Sequence, residues 1–122
     1  MIDLHTHTDA SDGTFSLAKL AAEASRVGLR AIAVTDHDTL ASSKKITPKM
    51  LSSKEPLRII PGIELSVFDH KSGYLDIHIL GLFIDPNNKP LSSRLRSLSK
   101  EREDQKKATI GKLNDLGYRI SF

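Results

Sequence analysis

The chain has no cysteine at any of its 122 positions. That excludes a disulfide scaffold, a Cys-ligated zinc finger, an iron–sulfur site and a thiol nucleophile, while leaving the redox compartment open. No apolar run approaches the roughly 18–20 residues of a spanning helix, so no membrane partner is expected. The opening residues MIDLHTHTDASDG lack a basic and then apolar leader pattern, so the chain reads as cytoplasmic. Internal repeats and low-complexity linkers are also missing. A large excess of one charge is absent too: 18 Lys and Arg stand against 15 Asp and Glu, a net charge of +3. That is too small by itself to argue for a nucleic-acid partner. What remains, 39% hydrophobic and 27% charged, is the composition of an ordinary soluble domain.

The small positive charge is unevenly placed. Residues 1–90 hold 10 basic and 11 acidic side chains, whereas residues 91–122 hold 8 and 4, so the basic character belongs to the C-terminal stretch. Residues 2–8 alternate, with Ile2 and Leu4 on one face and Asp3, His5 and His7 on the other, which predicts a first strand. After a turn at residues 11–13, Thr14 or Ser16 can cap a helix carrying Leu17, Leu20, Ala21, Ala24 and Val27, stopped by Gly28. Residues 31–35 are nearly all apolar, as in a strand covered on both faces of a parallel sheet. Strand, helix and strand form a βαβ unit. A polar stretch to residue 55 is partly helical by pattern, with Pro48 expected to end or kink it. A third strand is expected over residues 57–61, followed by alternating stretches at 62–67 and 74–82 joined by a hairpin loop at 69–73. Beyond a break at 85–90, a long basic helix runs from residue 91 to 117, and residues 118–122 read as the start of a further element.

The chemistry-bearing residues gather at predicted strand ends. His5 and His7, two apart, present both imidazoles on one face; as a pair alone they also fit two hydrogen-bonded histidines at a strand end. Asp12 lies in the following turn, His37 after the second strand between Asp36 and Asp38, Glu64 past the third, and His78 on the hairpin. Taken singly, Asp12 fits a plain turn residue and Glu64 a solvated strand carboxylate. Together they sit where a parallel sheet gathers its ligand-binding residues. His, Asp and Glu without Cys are the ligands of a hydrolytic centre holding Zn, Mn, Fe or Mg ions, and about six ligands exceed one tetrahedral site, so two or three divalent ions are expected. Such a cluster suits phosphate esters. Asp36 and Asp38 are expected to orient the His37 imidazole rather than bind metal. His78, between Ile77 and Ile79, is expected to be buried, where an unpartnered imidazole is costly. His70 reads as solvated. On the long helix the apolar stripe of Leu91, Leu95, Leu98, Ile110, Leu113 and Leu116 continues through Arg102 and Lys106. These two either snorkel along apolar surface or grip a phosphate.

Four ordered motifs, D-L-H-T-H-T-x-x-S-D-G-T, T-D-H-D-T, P-G-I-E-L-S and I-H-I-L-G-L, resemble those of the PHP (polymerase and histidinol phosphatase) superfamily. Within it the chain is most similar to the small branch of metal-dependent phosphoesterases that includes nucleoside 3′,5′-bisphosphate phosphatases and 5′→3′ exonucleases on short RNA. The resemblance implies a distorted seven-stranded (β/α) barrel in the α/β class, of which 122 residues are the N-terminal part, about half. It implies that His5, His7 and Glu64 bind a first metal, that Glu64 bridges to a second held also by His78, and that Asp12 and His37 hold a third. Arg102 and Lys106 match positions that carry basic residues near the substrate phosphate.

The implied activity is hydrolysis of phosphate esters by a metal-bound hydroxide in a di- or trinuclear site. The implied partners are a phosphorylated small molecule, a nucleotide or short RNA. Nothing after His78 is a histidine, so the family's later ligands have no counterpart. Weak metal binding, low turnover and self-association through an unclosed barrel edge are therefore expected. The alternative is a metal-binding or nucleic-acid-interacting module without catalysis.

Overall fold

A computed structural model describes residues 1–52, 54, 56–69 and 73–121, with the side chains at 68, 69 and 74–76 outside the description. The expectation for His70 falls outside the described residues. The elements run β1 (Ile2–Thr6), α1 (Leu17–Arg26), β2 (Ala31–Val34), a 3₁₀ turn (Ser43–Lys45), α2 (Pro48–Leu51), β3 (Arg58–Asp69), β4 (Tyr74–Leu82) and α3 (Lys89–Asp115). They fall into two compact units, Met1–Asn88 and Lys89–Phe122.

In the first unit the strands form one mixed sheet in the order β1-β2-β3-β4. β1 and β2 pair in parallel, as do β2 and β3, while β3 and β4 form an antiparallel hairpin. The first βαβ unit is as the periodicity predicts. Ser16 caps α1 by accepting from the Lys19 amide, and Gly28, at φ +76, ends it in a conformation that a side chain would resist. Leu17 and Ala24 of α1 pack on Ile32 and Val34 of β2 and Ile59 of β3, with Leu20, Leu29 and Met50 at the margin. Ile32, Ala33 and Val34 are all fully buried, so β2 is covered on both faces.

Two expectations change. Residues 57–61 and 62–67 do not make separate strands; β3 runs unbroken, because its first part pairs with β2 and its second with β4. Pro48 begins α2 rather than ending a helix: it sits in the first turn after the Thr47 cap, where its missing amide hydrogen costs nothing.

In the second unit α3 has 27 residues. Leu95 is buried, Leu91, Leu98, Ile110 and Leu113 are half-buried, and Leu116 is exposed. The helix ends at Gly117, at φ +95, where the Gly117 amide donates to the Asn114 carbonyl and that of Tyr118 to Leu113. The Asn114 side chain then brackets Ile120, donating to its carbonyl and accepting from its amide. No helix among the described residues is long and apolar enough to cross a membrane.

Candidate metal centre

Each candidate ligand is brought in by backbone pairing. His5 in β1 and His7, one residue past its end, set their ring centroids 5.0 Å apart. Past the end of β2 the chain keeps following β3: the Glu64 amide donates to Asp36 O at 3.2 Å and the Asp38 amide to Glu64 O at 2.9 Å. That pairs His37 with Glu64 and sets its ring 4.7 Å from His7 and 4.9 Å from His78. In the hairpin Glu64 lies opposite Leu80, so His78, two residues along β4, is its diagonal neighbour on the same face.

Glu64 is the centre of the arrangement. Only 2% of it is exposed, and four imidazoles surround its carboxylate. Oε2 lies 2.8 Å from His5 Nε2, 3.1 Å from His7 Nε2 and 3.6 Å from His37 Nε2; Oε1 lies 2.8 Å from His78 Nδ1. Asp12, mostly exposed, sets Oδ1 3.1 Å from His7 Nδ1 and Oδ2 3.7 Å from His37 Nε2. Burial pushes the Glu64 carboxyl up, but hydrogen bonds from His5 and His78 and the charges of His37 and His5 outweigh it and hold the group below its ordinary value. At Asp12 desolvation likewise raises the carboxyl and is overcome chiefly by attraction to His7, its own backbone hydrogen bond and attraction to His37, for a net lowering.

The donor set fits a divalent cation on electrostatic grounds. His7 faces a carboxylate with both ring nitrogens. A neutral imidazole carries one N–H, so one of those nitrogens must turn a lone pair toward a carboxylate oxygen, which repels unless a proton or a cation lies between. The ligand atoms form three groups within metal-holding distance: His5, His7 and Glu64; His7, Asp12 and His37; and His37, Glu64 and His78. All six sequence-derived candidates are therefore brought together.

Three expectations of detail are corrected. His78 is not buried: its side chain is 37% exposed, and Ile79 and Leu80 beside it are exposed, because β4 is an edge strand. Asp36 does not hold the His37 imidazole. It is 2% exposed, and its Oδ1 accepts from the Thr8 amide at 2.6 Å and the Ser11 hydroxyl at 2.9 Å while Oδ2 accepts from the Thr8 hydroxyl at 2.8 Å. Asp38, at φ +50, accepts from the Ser66 amide and so ties the His37 loop to β3. Arg102 is half-buried and Lys106 exposed, and both line one hollow along α3 with Gln105, Thr109 and Ile110, so Lys106 does not join a buried stripe.

Sequence reasoning missed the polar residues behind the ligands. Thr8, Ser42 and Ser43 are buried; the Thr8 and Ser42 hydroxyls lie 2.7 Å apart, and Ser43 Oγ donates to Gly62 O at 2.8 Å. Gly13 and Gly62 are demanded by close approach. A Cβ at Gly13 would meet His7 O at 2.5 Å, and one at Gly62 would meet Gly81 O and Thr35 Cγ2, each at 2.9 Å. The available signal was the small polar residues and glycines interleaved with the ligands.

The family model for the PHP domain matches residues 3–118. The chain belongs to the PHP domain family. This PHP chain is 35% identical over 108 residues to the 5′-3′ exoribonuclease Rnm of Escherichia coli, covering 88% of itself and 36% of that protein. It is 28% identical over 121 residues to the 3′,5′-nucleoside bisphosphate phosphatase of Chromobacterium violaceum, covering 99% of itself and 41% of the relative. Among solved structures, a Bifidobacterium adolescentis protein assigned as a metal-dependent phosphoesterase matches with a TM-score of 0.77 at 28% identity, over 99% of this chain and 40% of that one. A Chromobacterium violaceum amidohydrolase, solved with bound sulfate and no metal, matches with a TM-score of 0.76 at 27% identity, over 98% and 40%. The chain thus spans about two fifths of the length of these proteins, and its fold is that of the corresponding part of the PHP fold.

Proposed function

We propose that this PHP chain supplies ligands to a centre of two or three divalent ions (Mn, Zn, Fe or Mg) that hydrolyses phosphate esters, with nucleotides or short oligonucleotides as the substrate class. The observation that carries the reading is Glu64: a buried carboxylate facing four imidazole rings with both oxygens. When bound, the ions supply Lewis acidity toward phosphoryl oxygens and lower the pKa of water. His5, His7 and Glu64 Oε2 would hold one ion, Glu64 Oε1 and His78 a second, and Asp12 and His37 a third. Glu64, with its two oxygens turned to different histidines, would contribute to both of the first two positions. Arg102, with a planar fork, and Lys106, one turn along α3, are assigned to the substrate phosphate. The names of the exoribonuclease and bisphosphate phosphatase relatives support phosphate esters over the amide chemistry suggested by the amidohydrolase.

The test is metal analysis of the purified chain after dialysis against each ion, followed by assay on a nucleoside 3′,5′-bisphosphate. The expected result is at least two equivalents of metal and slow phosphate release that Asp12→Ala and His37→Ala abolish. A chain that binds no divalent ion overturns the reading. The exposure of Asp12, at 67%, and of His5, at 50%, favours one second reading, weak ion binding without turnover, which metal retention with no hydrolysis would support. Self-association through β1 and β4, the two edges of the sheet, belongs to the same proposal and is read by light scattering.

A further inference from the structure

The turn that carries Asp12 is organised around one residue. The Thr8 carbonyl accepts from the amides of Ser11 at 3.2 Å and Gly13 at 2.9 Å, and the Thr8 hydroxyl accepts from the Ala10 amide at 3.1 Å. Thr8 itself is fully buried and is held from outside the turn by Asp36, which takes both its amide and its hydroxyl, with Ser42 as a third contact. The Thr8 hydroxyl has one proton, and with Asp36 accepting it, the Ser42 hydroxyl must donate to Thr8. Ser11 likewise has one proton. Its shortest contact is Asp36 Oδ1 at 2.9 Å, against 3.3 Å to Asp12 Oδ1 and 3.5 Å to His7 Nδ1. With that proton on Asp36, Ser11 offers none to Asp12, and Asp12 Oδ1 is left to accept from His7 Nδ1 at 3.1 Å. His7 then turns the lone pair of Nε2 toward the His5 and Glu64 group.

We propose that Asp36 is the positioning residue of the metal site, acting through Thr8 and Ser11 to hold the turn and the His7 tautomer on which ion binding depends. This rests on the metal-site reading above. Among the described residues Asp36 hydrogen-bonds Thr8 and Ser11 and no candidate ligand side chain, so its effect is transmitted through residues 8–12. Direct hydrogen-bond partners of metal ligands typically change metal affinity by about 10–100-fold when lost, and a residue acting through an intervening turn is expected at the low end of that range.

The test compares Asp36→Ala, Asp36→Asn and Ser16→Ala in the full chain by Mn²⁺ titration well below each Tm, and by ring ¹⁵N spectra of His7 in the metal-free protein. Asn can keep the Oδ1 bonds and donate its amide to the Thr8 hydroxyl once that hydroxyl and Ser42 reverse. Asp36→Ala should therefore lower Mn²⁺ affinity about tenfold or more and lose the Nδ1–H tautomer, while Asp36→Asn stays within about threefold of the wild type. Ser16→Ala, which removes only the α1 cap, should lower Tm without changing affinity. An Asp36→Ala affinity within threefold of wild type overturns the proposal, as does equal loss in Asp36→Asn, which would make charge rather than position the cause. Should Asp36→Ala not fold, Thr8→Val removes one of its three bonds, that from the Thr8 hydroxyl to Oδ2, and should lower Mn²⁺ affinity in the same direction by a smaller factor; an affinity equal to wild type overturns the proposal. A wild type that binds no Mn²⁺ defeats the metal-site reading, and the proposal then stands or falls on whether the His7 tautomer changes in Asp36→Ala.

Discussion

Replacing Glu64 by Gln is the sharpest single perturbation of this centre, because it removes a charge while nearly conserving shape. Glu64 belongs to two of the three possible ion-holding groups, and the group of His7, Asp12 and His37 does without it. Metal-induced stabilisation follows RT ln(1 + [L]/Kd), about 2.7 kcal/mol with the ion at a hundred times Kd. For a chain of 122 residues, 1 kcal/mol corresponds to roughly 4 °C, so each ion held at a hundred times its Kd should raise the wild-type Tm by about 10 °C. In Glu64→Gln two of the three groups lose their buried anion, and the shift should fall to about a third of the wild-type value or less, the remainder coming from the group that lacks Glu64. The metal-free Tm should move much less, since Gln can still hydrogen-bond His5 and His78, each 2.8 Å away in the wild type. The assay is thermal unfolding by circular dichroism with and without Mn²⁺, after exhaustive chelation. An undiminished Mn²⁺ shift in Glu64→Gln would refute the reasoning, because the ion would then sit where this carboxylate does not reach.

Three further outcomes follow from the same geometry. Gly62→Ala places a methyl 2.9 Å from Gly81 O and 3.0 Å from Val34 O, backbone atoms on both neighbouring strands, and should destabilise the metal-free chain by about 1–3 kcal/mol in urea unfolding; a neutral substitution would mean the strands part freely there. The lowered Glu64 carboxyl makes a stability contribution that is fully present above its ordinary value of 4.5 and lost as pH falls through the lower folded value. Urea titrations of the metal-free chain from pH 6 to pH 3 should therefore show a decline that is shallower in Glu64→Gln, and identical slopes would contradict it. Finally, Arg102→Ala should raise KM for a phosphate ester several-fold while leaving Mn²⁺ affinity unchanged, as measured by steady-state kinetics beside calorimetry; an unchanged KM removes Arg102 from substrate binding.

Much of the site was legible because its signals are local. Two histidines at strand spacing, an Asp in the next turn and His37 after an apolar run are each placed by a few consecutive residues, whereas Glu64, expected past a strand end, lies inside β3 where its pairing passes from β2 to β4. The role of Asp36 was not legible. Its neighbour in sequence is His37, but its hydrogen bonds go to Thr8 and Ser11, 28 and 25 residues away. The exposure of His78 was hidden for a similar reason: apolar neighbours along a strand say nothing about whether that strand lies at the sheet's edge. Pro48 misled because the same ring that breaks a helix interior suits a first turn, and only the Thr47 cap distinguishes the two.

By itself, then, the order of residues determined which side chains could bind metal and on which elements they ride, since strand and helix periods are properties of a few consecutive residues. The tertiary structure alone decided that four imidazoles share one buried carboxylate, that a second acid behind them anchors a turn, and that two glycines leave room for the backbones to close. Those are relations between segments tens of residues apart, fixed by sheet pairing and by the need to satisfy buried polar atoms.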